Sequence, residues 1–199
     1  MTTAGAGSGF SAAGEGEAEG VFDEGTESTE DTGDSGCGAW VRQFGTPEED
    51  LVRGVAVDGE GMAYVLGTTD GALGGQGNAG QRDVFVTKFD GGGTQLWTRL
   101  LGSAGNDGAG RIVVDPSGTI LVSGHVHADS SGTTDIFLTK MDAEGNLEWT
   151  RTVGGPETDR GYALAVDASG NAYIAGDTWG DFDGSSHLGE VDVAEGSPV

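Results

Sequence analysis

His125-Val126-His127, with Asp129 close behind, is the one constellation in this chain that occurs a single time and carries ligand chemistry. Alternate residues of a strand point the same way, so imidazoles at this spacing could share a metal. A His-lined site near His125 and His127 would then suit a hydrolase or lyase. Two facts weigh against it. His187 is the only other histidine and stands far along the chain, and nothing nearby supplies an evident general base. The expectation is therefore strand-end residues, with no catalytic, cofactor-binding or metal-binding residue assigned and no cofactor.

Four turns of the form Asp-x-x-Gly come next: Asp58 to Gly61, Asp115 to Gly118, Asp142 to Gly145 and Asp167 to Gly170. Calcium wants six to eight oxygens, and one Asp with a few carbonyls falls short. The structural reading is direct. Asp bonds the backbone of its own turn, and Gly supplies a positive φ. The single cysteine, Cys37, excludes an internal disulfide and a cysteine zinc site. Ser35-Gly36-Cys37 looks like the end of a lipoprotein processing box, but residues 27–34 are polar and acidic, so a plain thiol is expected.

The elements that hold these residues are set by a threefold repeat. Trp40-Val41-Arg42-Gln43-Phe44-Gly45 returns as Trp97-Thr98-Arg99-Leu100-Leu101-Gly102 and as Trp149-Thr150-Arg151-Thr152-Val153-Gly154. After each final Gly come an Asp at +5 (Asp50, Asp107, Asp159), an Asp at +13 (Asp58, Asp115, Asp167), a Gly at +16 (Gly61, Gly118, Gly170) and a Gly at +22 (Gly67, Gly124, Gly176). Offsets kept through three copies define a repeat architecture. A residue that recurs once per unit serves every unit alike, so the recurring Asp and Arg are expected to be structural. Arg42, Arg99 and Arg151 each share a strand face with their Trp, where guanidinium can stack on indole. Lys88 and Lys140 read as edge or outer-face charges.

Between the first two tryptophans run four apolar segments separated by turns, around 54–58, 63–67, 84–89 and 95–101. The first strands, such as Val55-Ala56-Val57 and Leu164-Ala165-Val166, are apolar at consecutive positions, which predicts burial on both faces. Four-stranded sheets covered on both faces and repeated about every 50 residues fit the blades of a β-propeller. The expected fold is all-β: a partial propeller with two full four-stranded blades (about 53–101 and 110–153), an N-terminal outer strand at 39–45, and an incomplete third blade (161–193) followed by a frayed tail at 194–199. Gly176 to Asp192 has the spacing of Gly67 to Asp83, so Asp192 is expected where Asp83 stands, with the last strand barely begun.

Composition narrows the function. The chain has 199 residues, 40 of them glycine, and 33 acids against 9 bases for a net charge of −24. Such a surface repels nucleic acid and anionic lipid. Residues 1–38 carry acids, Gly, Ser and Thr with almost nothing to bury, and read as a disordered leader. No run approaches the length of a membrane helix, and no signal peptide is visible.

The chain resembles the SBBP β-propeller repeat family. The carriers are Trp-x-Arg-x-x-Gly, Val-Asp-x-x-Gly, the Gly that closes the second strand, and Asp83 to Asp90 with its second instance Asp135 to Asp142. The resemblance covers about Trp40 to Asp192. It implies the propeller fold and little about activity, because the family is known mainly as a repeat in bacterial surface and secreted proteins. The expected function is a non-catalytic scaffold or binding module of a bacterial surface or exported protein, a fragment of a longer propeller, with a protein or glycan as ligand. Self-association through the incomplete terminal blades is the other expectation: a second copy donates its Trp40 strand to the third blade and closes a ring.

Overall fold

Each repeat folds into one antiparallel sheet. The computed structural model describes residues 39–116, 118–127 and 132–181, and the backbone of 192–198. The chain divides into Met1–Cys37 and Gly38–Val199. The leader expected at 1–38, with Cys37, and the candidates Asp129 and His187 lie outside the described residues.

Blade 1 consists of β1 (Asp50–Val57), β2 (Ala63–Thr69), β3 (Asp83–Phe89) and β4 (Gln95–Leu101), hydrogen-bonded in that order. Blade 2 repeats it with β5 (Gly108–Val114), β6 (Ile120–His127), β7 (Thr134–Met141) and β8 (Leu147–Val153). Blade 3 has β9 (Asp159–Val166), β10 (Asn171–Thr178) and β11 (Asp192–Pro198). All neighbours run antiparallel, and β5 packs between β1 and β9. The molecule is an all-β partial propeller.

The recurring residues explain the repeat. Asp58 Oδ1 accepts the N–H groups of Glu60 and Met62 at 2.9 Å, and Asp167 does the same for Ser169 and Asn171. Gly61, Gly118 and Gly170 close these turns at φ of 84–85°, where a side chain is strained. Asp50, Asp107 and Asp159 each accept the N–H four residues earlier, from Thr46, Ser103 and Gly155, and so cap the connection into each blade.

Two cores glue the blades together. Tyr64, Leu66, Val84 and Val86 of blade 1 meet Ile112, Ile120, Val122, Phe137 and Met141 of blade 2. Leu121, Ile136 and Leu138 use the other side of blade 2 to meet Leu164, Ala172 and Ile174 of blade 3. The period of two in β6 thus sends Ile120 and Val122 one way and Leu121 the other. Burial on both faces holds for β5, whose Ile112 and Val113 enter opposite cores. It fails for β1, where Val55 is 67% and Val57 60% exposed, and for β9, where Ala163 and Ala165 are exposed. These end blades have a neighbour on one flank only among the described residues.

Two further expectations are corrected. Residues 39–45 form no strand. There is no described sheet ahead of them to pair with, and they are held by side chains instead. Phe44 packs edge-on to Phe85 at 5.9 Å, and Trp40 lies 5.7 Å from Phe89. Trp97 and Leu101, the counterparts of Trp40 and Phe44, pack against the cluster that holds Met141 and Phe137, so the segment takes the place of a preceding blade's fourth strand. The second correction concerns register. Gly67 faces Phe85 and Gly124 faces Phe137, whereas Gly176 faces Asp192. β11 is displaced by two residues from the spacing-based alignment and remains a strand to Pro198, where a frayed tail is expected. A two-residue slip preserves which side each residue takes, so counting loop residues does not fix it.

Candidate functional site

The +22 glycines open the way to the site. A Cβ on Gly67, Gly124 or Gly176 would strike the carbonyl oxygen of Leu51, Gly108 or Arg160 in the first strand of its own blade. That close approach accompanies a β-bulge in each first strand. Pairing skips from Val52 to Gly54, from Ala109 to Arg111, and from Gly161 to Ala163. The extra residues are Arg53, Gly110 and Tyr162. Bulges re-aim side chains, and here all three bulged residues line one cleft of about 350 Å³ between the blades.

Thr68, Asn106, Asp107, Gly108 and His125 line the same cleft. It opens at the end of the blades where the first strands begin, the end opposite the Asp-x-x-Gly turns. The bulge position reads Arg53, Gly110, Tyr162 through the three blades, and the residue after the repeated glycine of each second strand reads Thr68, His125, Asp177. Residues that build blades repeat; these do not.

The electrostatics are unlike the rest of this acidic chain. Arg53 makes no hydrogen bond or ion pair among the described residues. Arg82, also in the lining, is committed to Asp70 at 2.6 Å and to Glu49. The Arg82 pairing holds the Asp70 carboxyl below its ordinary range. Asp107 accepts from the Ser103 hydroxyl at 2.7 Å and from the His127 N–H at 3.0 Å, so its acceptor capacity is spent inside the fold.

His125 packs edge-on to Tyr162 with centroids 6.5 Å apart, and its ring covers Gly108 so closely that a Cβ there is excluded. Burial, then the neighbouring Arg160 charge, lower its pKa to about 4, so the ring is neutral near pH 7. Its Nδ1 is buried with no hydrogen-bond partner among the described residues, as is Arg160 Nε. The Arg160 guanidinium lies 5.1 Å from the Trp179 ring.

The structure separates what the sequence pairs. His127 turns onto Gly105 and points Nδ1 at the Asn106 carbonyl at 3.4 Å. It is outside the cleft lining. No group of three His, Cys, Asp or Glu side chains able to hold a metal occurs among the described residues. Sequence reasoning missed Arg53 and Tyr162. The signal was available: within aligned repeats, they are the variable residues beside an invariant glycine partner.

A propeller-repeat protein is the class that this fold and this interblade cleft define. Residues 39–75 and 148–183 match the model of the SBBP beta-propeller repeat, and the chain carries that repeat. It is also similar to the regulatory protein FlaEY of Caulobacter vibrioides, 33% identical over 155 residues that cover 67% of this chain and 16% of FlaEY. The chain thus spans about a sixth of the length of that relative.

Proposed function

We propose that this chain is a non-catalytic binding module in which the cleft at Arg53, His125 and Tyr162 receives an anionic group of its ligand. The observation that carries this reading is that three bulges direct the three non-repeating residues into one cleft. Arg53 brings an uncommitted guanidinium, Gly110 leaves space, and Tyr162 offers a ring face. A guanidinium free of internal partners suits a carboxylate or phosphate, and an aromatic face suits a sugar ring or peptide. An acidic saccharide or acidic protein segment meets both. The repeat family and a relative named as a regulatory protein support a role without catalysis. His125, neutral and with Nδ1 unpartnered, has no nucleophile or carboxylate bonded to that atom among the described residues.

The test is a titration with glucuronate, and separately with inorganic phosphate, followed through the NMR signal of the His125 ring. Saturable shifts below about 20 mM that vanish in Arg53→Met support the proposal. Shifts of equal size in that variant, or none with either anion, reject it. A place on the bacterial surface or outside the cell is part of the same proposal and rests on the family resemblance. Fractionation that finds the chain wholly in the cytoplasm would refute it.

A further inference from the structure

At the other end of the blades, each turn between a third and a fourth strand is gripped by what precedes it. In blade 2 this turn is Asp142 to Gly145. The Ala143 carbonyl accepts from Lys88 Nζ at 3.0 Å and from Trp97 Nε1 at 3.3 Å. The Glu144 and Gly145 carbonyls accept from Arg99 Nη2 at 3.1 Å and Nε at 2.8 Å. Three successive carbonyls therefore face one Lys-Trp-Arg clamp. Gly145 is needed twice over: its φ is +75°, and a Cβ would sit 3.1 Å from the Trp97 indole. In blade 1 the turn ending at Gly93 is held by the arginine and the indole alone. Arg42 Nε donates to the Gly93 carbonyl at 2.9 Å, and a Cβ there would lie 2.6 Å from Trp40.

A third clamp exists in Lys140, Trp149 and Arg151. Lys140 pairs across the sheet with Trp149 as Lys88 pairs with Trp97. The Arg151 guanidinium is 4.8 Å from the Trp149 ring, against 5.4 Å for Arg99 and Trp97. Yet neither the Trp149 nor the Arg151 side chain donates to any carbonyl among the described residues, and Lys140 turns to Glu148 at 3.3 Å. Beside it, β11 pairs with β10 and closes the described sheet as an edge.

We infer that Lys140, Trp149 and Arg151 form a docking site for an Asp-x-x-Gly hairpin turn of a further repeat, whose fourth strand adds to β11 at the edge of the described sheet. The clamp filled by residues 143–145 defines the occupant, with exposed carbonyls at the last three turn positions, Gly at the fourth and acids around them, and the Arg42 bond to Gly93 repeats its last contact. Both filled turns are acidic (Asp90; Asp142 with Glu144), opposite in sign to the clamp. Strand addition supplies backbone bonds, and the clamp supplies selectivity for the turn. A second copy of this chain is disfavoured as the source, because both of its own turns of this kind are already held.

The experiment uses the full chain and a fluorescein-labelled peptide copying residues 142–153, turn plus fourth strand, read by fluorescence anisotropy. Saturable binding is expected below about 1 mM, weakened at least about tenfold by Arg151→Met in the protein. Arg99→Met makes the same charge change at a filled clamp and should leave affinity within about twofold. Should Arg151→Met fail to fold, the unaltered chain with the peptide carrying Gly145→Ala decides, since that change should abolish binding. No saturable binding, equal affinity after Arg151→Met, or equal affinity for the Ala peptide overturns the inference. So does light scattering that shows the chain dimeric until Arg151 is changed, because a second copy then covers the clamp.

Discussion

Arg99 donates through Nε to the Gly145 carbonyl at 2.8 Å, and this bond ties blade 1 to blade 2 across 46 positions of sequence. Arg99 also reaches the Glu144 carbonyl, while Arg151, the same residue one repeat later, makes no such bond among the described residues.

Replacing Arg99 by Ala should therefore lower stability by about 1–2 kcal/mol, since charged donors to partly buried carbonyls are lost. Arg151→Ala should stay within about 0.5 kcal/mol. Urea unfolding of the two variants side by side measures the difference. Equal losses would show that the interblade bonds contribute nothing.

Glycines with φ of 80–85° should differ in sensitivity. Gly170 has φ +85° and open space around its missing Cβ, so Ala there meets backbone strain alone, about 1 kcal/mol. Gly93 adds collision with the Trp40 indole, and Gly93→Ala should cost at least about 1 kcal/mol more or free the Trp40 segment. Thermal unfolding together with Trp40 fluorescence distinguishes the two outcomes.

Asp83 carries a pH signature. Burial, with the charge of Asp107 adding to it, raises its pKa, while the Ala79 N–H bond opposes the shift. The native state then holds the proton more tightly than the unfolded chain, so ionisation costs stability as pH rises through the native pKa. Asp83→Asn keeps an acceptor for Ala79 and removes the charge. It should raise Tm at neutral pH, and the gain should fade as pH falls into the ordinary carboxylate range. A lower Tm at pH 7 would contradict this.

His125 works in the opposite sense. Its native pKa of about 4 lies below the unfolded value of about 6.5, so the unfolded chain takes up the proton first as pH falls. Stability is lost from about pH 6.5 down to about 4, by an upper limit near 3 kcal/mol. His125→Gln should remove that part of the acid sensitivity, leaving the carboxylate contribution. Urea midpoints at pH 7.5 and 4.5 for both proteins test it, and parallel losses would refute it.

The blades were readable because Asp58, Gly61 and Gly67 each perform a local task that every repeat must perform. Turn capping, a positive φ and room beside a bulge leave marks at fixed offsets. The Trp-Arg pairs were half readable. Stacking within a strand follows from alternation and is present at Arg99 and Arg151, but the bonds of Lys88 and Arg99 to the turn at 143–145 join units distant in sequence. Lys88 is accordingly an interblade donor that also lies 5.1 Å from the Tyr64 ring, and the reading of it as a plain edge charge is corrected. The cleft was hidden for a related reason. Arg53, Gly110 and Tyr162 meet only once the blades stand side by side, and the one-residue slip that turns them inward has no marker except the glycine opposite.

The two-way allegiance of β6 has a kinetic consequence. Ile120 and Val122 are fastened to one neighbour and Leu121 to the other, so this strand can release its amides to solvent only after both flanks have let go. Melting should travel inward from the outer sheets like paint peeling from two edges, and the backbone around Val122 should be the last to trade its hydrogens for deuterium.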